Sequence, residues 1–414
     1  MGKMTKLAAA VTAVALVAAC STTESKTTSS DGDSGVTDKT IKVAGVLVKN
    51  SATGYSTAAA EIGAKARFAR ANAEGGINGR TIDFTGAEDD GMDPAKGATA
   101  ATKLVQKDKV FAVVPVSSPT FGGATFLEKE NVPWIGWATG AQYCGIKTGF
   151  GYNGCLAPKP GSGTQTWWGN QVGAQLGGST GKTAWIQGTD SSASKLGVGT
   201  IGQSFTGAGF TLTGSSASIP AAAPPSDWLP YVNKIMKSNK GKAPDAVVSI
   251  MAGAKLNGGL YGALKKAGYK GVFSDATSYD PNTLADPATK AALDGVLAAP
   301  QFEPFESDVA EVTTMKADIQ KIAGADVVFT QHMAIGYWSA EVFLQIATKA
   351  GKDLTRASFL QAADSFSYKN PGFGEIDYPK DKTEPNGCGA LVKLSGDTFT
   401  VAQHLKCYDN VTLK

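Results

Sequence analysis

Apolar residues occur along the chain in short runs that are separated by glycine, proline and charged turns. One run, Val110–Pro119 (VFAVVPVSSP), has five apolar residues, a proline and a valine before two serines. A run this short and this apolar predicts a strand that is buried on both faces, as in a parallel sheet. Ser117 and Ser118 would then lie just past its carboxyl end, which is the edge where open α/β sheets bind ligands.

Predicted strands and helices alternate on both sides of this run, and the alternation restarts after the Pro/Gly-rich stretch Ala157–Gly163. Such alternation predicts doubly wound parallel sheets, and 414 residues suffice for two lobes. The other predicted strands are 41–48, 81–85, 132–137, 183–187, 246–250 and 272–274. The predicted helices are 58–72, 94–108, 121–129, 195–208, 227–238, 256–267, 307–322, 334–350 and 356–365. The tail from 372 onwards predicts irregular strand pairs.

The first 37 residues predict export rather than a folded segment. Lys3 and Lys6 precede the apolar run Leu7–Ala19, which is too short to span a bilayer and suits a secretory signal peptide. The letters LVAAC resemble the lipobox of bacterial lipoproteins, which implies removal of residues 1–19 and lipid attachment at Cys20. An ordinary secretory signal with a chance cysteine is the alternative. Residues 20–37 lack large apolar residues except one valine and predict a flexible tether.

The other four cysteines also indicate an oxidising compartment. Cys144 and Cys155 lie eleven residues apart, and Cys388 and Cys407 lie nineteen apart. Adjacent pairing, Cys144 with Cys155 and Cys388 with Cys407, is favoured among the three connectivities that four cysteines allow. Metal binding is the alternative, but no Cys-x-x-Cys or histidine spacing supports it, and no metal site is expected.

Charge and motifs do not indicate an enzyme or a nucleic-acid-binding protein. The formal net charge is +3 and 18% of residues are charged, so no nucleic-acid partner is expected. Gly197–Gly202 (GVGTIG) has the letters of a dinucleotide fingerprint, but it neither follows a strand directly nor precedes a suitably spaced acidic residue. His332 and His404, the only histidines, are predicted at surface or capping positions, and the turn Glu88–Asp90 is predicted to be solvated. No catalytic residue and no cofactor are expected.

Three segments in order resemble a known family: Ala73–Arg80 (AEGGINGR), Glu88–Val110 (EDDGMDPAKGATAATKLVQKDKV) and Val114–Pro119 (VPVSSP). Together they resemble the extracytoplasmic solute-binding proteins of branched-chain amino-acid ABC transporters. The resemblance implies the type I periplasmic-binding fold, an α/β fold of two Rossmann-like doubly wound lobes joined by three hinge crossings, with one ligand in the cleft. By position, the lobes would be as follows: lobe one 38–152 and 300–380, lobe two 153–299 and 387–414.

The resemblance also implies binding residues on lobe one. Ser117 and Ser118 match the family's serines that hold a ligand carboxylate, and Tyr55 falls at its aromatic position in the first strand–helix loop. Ala138 and Thr139 match its Ala-Thr pair, where backbone and hydroxyl reach the ligand. Hydroxyls and N–H groups at a helix N-terminus can hold a carboxylate without a cation. Capping of the third helix is the alternative role of the two serines.

Lobe two departs from the family pattern. The tyrosines expected after the strand at 183–187 and near Gly253 are absent, and Asp275 is the only candidate for an acid that would hold a ligand ammonium. Trp137 lies next to the Ala-Thr pair, where its ring can contact a ligand. Core packing is expected for four other tryptophans: Trp134, Trp167, Trp168 and Trp338.

The combined expectation is a monomeric, lipid-anchored, extracytoplasmic binding protein. It would capture a small amino-acid-like or carboxylate-bearing solute by hinge closure and deliver it to an ABC permease of the inner or cytoplasmic membrane. Closure would be stabilised in so far as the ligand contacts both lobes. Two alternatives remain: a lipoprotein that signals ligand occupancy to a membrane receptor, and a hydrolase on the same fold. The hydrolase requires a histidine beside a nucleophile across the cleft.

Overall fold

The computed structural model describes Met1, residues 34–52 and residues 54–414. The predicted signal peptide, the lipidation site Cys20 and most of the tether lie outside these described residues. Residues 34–52 and 54–414 belong to one compact unit. Within the described segments, no helix has both the length and the apolar character that crossing a bilayer requires.

Strands and helices alternate through the described chain. The strands are β1 Thr40–Leu47, β2 Thr81–Asp89, β3 Ala112–Ser117, β4 Trp134–Gly136, β5 Gly149–Gly151, β6 Gly163–Thr164, β7 Thr183–Thr189, β8 Thr211–Ile219, β9 Ala246–Ser249, β10 Val272–Asp275, β11 Leu297–Ala298, β12 Ser367–Asn370, β13 Gly374–Asp377, β14 Cys388–Ser395, β15 Thr398–Cys407 and β16 Val411–Thr412. The α-helices are α1 Ala60–Ala73, α2 Pro94–Thr102, α3 Ala124–Lys129, α4 Trp167–Gln175, α5 Ser192–Gly207, α6 Leu229–Met236, α7 Ala254–Lys266, α8 Pro287–Leu293, α9 Ala310–Ala323, α10 Gln331–Ala350 and α11 Arg356–Ala363.

The strands form two large sheets with the same internal order. The first sheet is parallel throughout, in the order β2-β1-β3-β4-β5. The second contains the parallel set β8-β7-β9-β10-β11, which β14 and β15 extend in antiparallel fashion at one edge. In each sheet the strand order reverses once, between β1 and β3 and between β7 and β9. These are the topological switch points at which doubly wound sheets bind ligands.

The chain passes between the two sheets three times. It leaves the first sheet after β5, and after β11 it returns with α9 and α10, which pack on α1. After β13 it goes back to the second sheet as β14 and β15. This mixed α/β fold of two doubly wound lobes with three crossings is the one that the sequence predicts. The exact lobe boundaries remain a prediction.

Both predicted disulfides are present, Cys144–Cys155 and Cys388–Cys407. The second joins residues that face each other across the β14–β15 hairpin, whose register shifts between Gly389 and Leu391 and between Leu391 and Val392. This part of the tail is thus an irregular strand pair closed by the disulfide, as expected. The hairpin forms one edge of the second sheet, because β14 also pairs with β11 and β15 is the outermost strand.

The segment after β3 differs from its prediction. Ser117 is the last residue of the strand rather than the first beyond it, and α3 begins at Ala124 instead of residue 121. Two consecutive glycines, Gly122 and Gly123, precede the helix, and glycine is a poor helix former. The six residues from Ser118 to Gly123 therefore form a loop, and the serines do not cap α3.

Candidate functional site

A cavity of about 150 Å³ lies where the carboxyl ends of the strands of the two sheets face each other. The first sheet contributes side chains from the loops after β1, β3 and β4: Tyr55, Pro119, Thr120, Trp137 and Thr139. The second sheet contributes side chains from β7 and α5 and from the loops after β9 and β10, among them Thr189, Ser191, Ile201, Ile250 and Thr277. The cavity thus joins the switch points of both sheets, the position that this topology favours for a ligand.

Aromatic rings give the cavity much of its apolar wall. Tyr55, Trp137 and Trp168 line it, and each is at most 7% exposed. The Trp137 indole N–H donates to Gln301 Oε1 at 2.7 Å, and the Trp168 indole N–H donates to Ser274 Oγ at 2.7 Å. Because these N–H groups are bonded within the protein, the two indoles offer a ligand mainly their ring surfaces. Trp168 therefore packs in the core, as expected, and also borders the cavity.

Two lining hydroxyls lack a hydrogen-bond partner. Thr120 Oγ1 and Thr139 Oγ1 are buried, and neither has a partner among the described residues. Ser117 Oγ, at the end of β3, also lacks a hydrogen-bond partner among the described residues, and Ser117 is fully buried. Buried polar groups are nearly always hydrogen-bonded, so these hydroxyls are available to bond a water molecule or a polar atom of a ligand.

The predicted site residues occupy different positions relative to the cavity. Tyr55, Trp137 and Thr139 line it directly. Ser117, Ser118 and Ala138 are buried and adjoin lining residues in the chain, but they are not part of its wall. The Ser117 carbonyl accepts a hydrogen bond from Thr57 Oγ1 at 2.7 Å, and Ser118 Oγ accepts one from the Thr120 N–H at 3.3 Å. The two serines thus help to fix the loop that carries Thr120.

Asp275 is fully buried at the end of β10 and does not line the cavity. One carboxylate oxygen accepts from the N–H groups of Thr277 and Ser278, at 2.9 and 2.7 Å. The other accepts from Ser278 Oγ at 2.7 Å and from the Tyr261 hydroxyl at 3.3 Å. Burial raises the pKa of this carboxyl, although these four donors lower it. The arrangement orders the loop that places Ala276 and Thr277 on the cavity wall.

The cavity wall is uncharged. None of the described residues that line it is acidic or basic. The acidic turn Glu88–Asp90 was expected to be solvated, and this is wrong for Asp90, which is fully buried. Its carboxylate accepts a hydrogen bond from the N–H of Met92 at 3.0 Å, which orders the loop behind the lining residue Met92. Burial raises the pKa of Asp90, with the Ser118 hydroxyl acting in the opposite direction.

The two histidines have different environments. His404 is exposed on β15 and its Nδ1 contacts Glu303 Oε1, in agreement with a surface position. The same prediction is wrong for His332, which is only 4% exposed, because the start of α10 is packed beneath Tyr55 and Trp137.

Gly197–Gly202 lies inside α5 rather than in a strand–helix turn, so it cannot cradle a dinucleotide pyrophosphate. In the described part of the chain, no group of three or more His, Cys, Asp or Glu side chains is arranged to hold a metal ion.

Several lining residues were not predicted. Gln301 follows β11 at the crossing, and its side-chain oxygen accepts from both the Trp137 indole and the Asn153 amide. Thr120 could have been found from its place after Ser118 and Pro119. The apolar wall of the second lobe, with Ile201, Ile250 and Leu256, carried no signal in the sequence, because these residues look like ordinary core positions.

Residues 40–398 match the family model described as periplasmic binding protein, so the chain belongs to this family. No curated protein matches the chain. Three solved structures with the same fold are a fatty acid ABC transporter substrate-binding protein from Thermomonospora curvata, a branched-chain amino acid transporter substrate-binding protein from Streptococcus pneumoniae in complex with isoleucine, and a solute-binding protein from R. palustris in complex with benzoate.

The similarity to these three structures spans nearly the whole fold. The T. curvata protein is 18% identical, with 92% of this chain and 97% of that one covered and a TM-score of 0.72. The S. pneumoniae protein is 18% identical, with 89% and 100% covered and a TM-score of 0.67. The R. palustris protein is 17% identical, with 91% and 99% covered and a TM-score of 0.67. At these identities the similarity establishes the shared type I periplasmic-binding fold, and ligand preference must be argued from the cavity itself.

Proposed function

We propose that this protein is the extracytoplasmic substrate-binding protein of an ABC importer and that it captures a small carboxylate-bearing or amino-acid-like solute. The observation that carries the proposal is the cavity between the switch points of two sheets, where unpartnered hydroxyls of Thr120 and Thr139 lie among aromatic rings. Membership in the periplasmic binding protein family supports it. A solute that contacts both sides of the cavity would stabilise the closed arrangement of the lobes by hinge closure.

Between the two solute classes, the cavity favours a carboxylate without an ammonium group. An α-amino acid needs an acidic partner, yet the described wall is uncharged and the Asp275 carboxylate is already bonded to four protein donors. Hydroxyls and N–H groups can hold a carboxylate without a cation. Apolar side chains and three aromatic rings suit a branched or aromatic solute body.

Neither histidine hydrogen-bonds a serine, threonine or cysteine side chain in the described segments. The arrangement that a hydrolase would need is therefore not assembled around either one, and the proposal is a binding function rather than catalysis. Thr120 and Thr139 are assigned the role of ligand contacts, with Tyr55, Trp137 and Trp168 as the apolar wall.

A thermal-shift screen tests the solute class. Each small acid would be compared with its amide and, where it exists, its α-amino acid: benzoate with benzamide, and 3-methylbutanoate with 3-methylbutanamide and leucine. Binding to the folded state raises the melting temperature by mass action. The proposal expects stabilisation by at least one acid that its amide does not reproduce. Stabilisation by leucine alone would contradict the carboxylate preference.

Lipid anchoring and extracytoplasmic location are a separate part of the proposal and rest on the LVAAC sequence before the fold. Cys20→Ser is expected to move the protein from the membrane fraction to the soluble extracytoplasmic fraction, as measured by fractionation and immunoblotting. The matched control is Ser21→Ala, which leaves the cysteine intact and should stay with the membrane. A Cys20→Ser protein that also stays there would contradict the anchor.

A further inference from the structure

Two glutamines supply the side-chain amides that line the cavity among the described residues. Gln165 lies between β6 and α4, and Gln301 follows β11 at the crossing back to the first sheet. They are 3% and 9% exposed. Because the described wall carries no charged side chain, the orientation of these two amides matters for the kind of solute that the wall accepts.

A tryptophan indole fixes the orientation of each amide. The Trp137 indole N–H donates to Gln301 Oε1 at 2.7 Å, and the Trp167 indole N–H donates to Gln165 Oε1. An indole N–H can only donate, so the atom that it meets must be the amide oxygen rather than the amide nitrogen. Both amide oxygens are therefore bonded to the protein.

Asn153 fixes the orientation of Gln301 a second time. Its Nδ2 donates to Gln301 Oε1 at 2.7 Å, while its Oδ1 accepts from the Ala138 N–H at 3.2 Å. A backbone N–H can only donate, so the Asn153 amide cannot be reversed either. Ala138 directly precedes Thr139 in the loop after β4, so this network joins Gln301 to the loop that carries a proposed ligand contact.

The amide nitrogens are the groups that remain free. Neither Gln165 Nε2 nor Gln301 Nε2 donates a hydrogen bond to a described residue, and neither is closed to solvent. Since both side chains line the cavity and are otherwise buried, these donors can be reached from it. An amide nitrogen only donates, so it suits an acceptor oxygen and leaves the N–H groups of a solute amide or ammonium unpaired.

We propose that Gln301 is a specificity-determining residue of the cavity, whose Nε2 donates a hydrogen bond to a carboxylate oxygen of the bound solute. This inference rests on the proposed function and deepens it, because it names an N–H group that favours an acid over its amide. A carboxylate has about four acceptor positions, so Gln301 adds to the hydroxyls of Thr120 and Thr139 rather than replacing them. The same geometry assigns Trp137 and Asn153 the role of positioning residues for Gln301.

Gln301→Glu is the variant that tests this role with the least change of shape. One oxygen of the new carboxylate can still accept from Trp137 and Asn153, and the other takes the place of Nε2. The matched control is Gln106→Glu, which adds the same charge at an exposed position outside the cavity. Benzoate with benzamide and 3-methylbutanoate with 3-methylbutanamide would be titrated calorimetrically at pH 8, where the introduced carboxyl is expected to be ionised.

Loss of a hydrogen bond to the carboxylate, together with repulsion between two carboxylates, should lower the affinity for the acid at least about thirtyfold in Gln301→Glu. The preference for the acid over its amide should fall at least about tenfold, since the new oxygen can accept from a solute N–H. The control should match the wild type. Unchanged acid affinity, or an equal loss for acid and amide, overturns the role of Gln301 and leaves the proposed function standing. A wild type that binds neither acid instead overturns the proposed solute class, and this inference with it.

A crystal structure of the wild type with the tighter-binding acid gives a readout that does not depend on whether the variant folds. The proposal expects a carboxylate oxygen within about 3.2 Å of Gln301 Nε2. An acid bound in the cavity with both carboxylate oxygens farther than about 3.5 Å from this nitrogen overturns the proposal.

Discussion

Replacement of Asp275 separates two possible roles of this carboxylate, a direct contact to a ligand ammonium and the support of a loop. Its four accepted hydrogen bonds come from Thr277, Ser278 and Tyr261, all within the protein. Asp275→Ala leaves buried donors unpaired, at about 1–3 kcal/mol each, while it relieves the cost of a buried charge. The net loss of unfolding free energy is expected to be about 3–5 kcal/mol, the range for breaking one side of a buried charged interaction.

Asp275→Asn is the informative companion variant. Its amide oxygen can still accept from the N–H groups of Thr277 and Ser278, so the expected loss is only about 1–2 kcal/mol. Urea unfolding measures both variants, and calorimetric titration with benzoate and leucine measures binding. Loop support predicts that Asp275→Asn keeps benzoate affinity within about threefold, or about 0.7 kcal/mol. Selective loss of leucine binding without loss of stability would refute this reasoning and show an ammonium contact.

Three further predictions concern the loop after β3, the third crossing and α5. Changing Ser117 and Ser118 together to alanine removes the Oγ acceptor of the Thr120 N–H, so it is expected to weaken solute binding by about 0.5–1.5 kcal/mol through the loop that carries Thr120, and unchanged affinity in a titration would show that this contact does not position Thr120. Burial raises the pKa of Asp381 to about 7, above its value of about 3.9 in an unfolded chain. The folded state then holds the extra proton between these values, so this group makes stability fall as the pH rises through that window. Asp381→Asn should flatten the pH dependence of urea unfolding from about pH 4 to 7, and parallel curves for the two proteins would argue against it. Gly197 and Ile250 both line the cavity, and a Cβ added at Gly197 would lie only 2.8 Å from Ile250 Cδ1. Gly197→Val should therefore reduce solute affinity by about tenfold or more in a titration. Unimpaired binding would place the solute elsewhere.

The first lobe is largely predictable because its signals are local. The apolar run that becomes β3 is buried at every position, and its short length and turn residues identify it from sequence alone. Tyr55, Trp137 and Thr139 line the cavity, and the prediction placed all three at strand ends of the first sheet: Tyr55 and Thr139 beyond a predicted strand and Trp137 as the last residue of one. Asp93 caps α2 through its side chain, as the Asp-Pro start signal indicates.

The parts of the candidate site that the sequence did not predict depend on contacts between segments that are distant in the chain. His332 is 195 residues after Trp137 in the chain, and no local pattern shows that α10 buries its first turn beneath that ring. Asp275 was a candidate for a ligand ammonium because it is the one acid at its strand end, but its donors come from its own loop and from α7. The apolar wall around Ile250 is indistinguishable in sequence from a core strand until the opposite sheet is placed.

The most direct test of the account is a calorimetric titration of benzoate and 3-methylbutanoate, each beside its amide, into the wild type and a Thr120→Val/Thr139→Val variant. Thr99→Val, on the exposed face of α2, is the matched control. We expect one acid to bind at one site per chain, with affinity reduced by about tenfold or more in the double variant and unchanged in the control. Binding that is equal in the double variant, or equal for acid and amide, would contradict a carboxylate site at these hydroxyls.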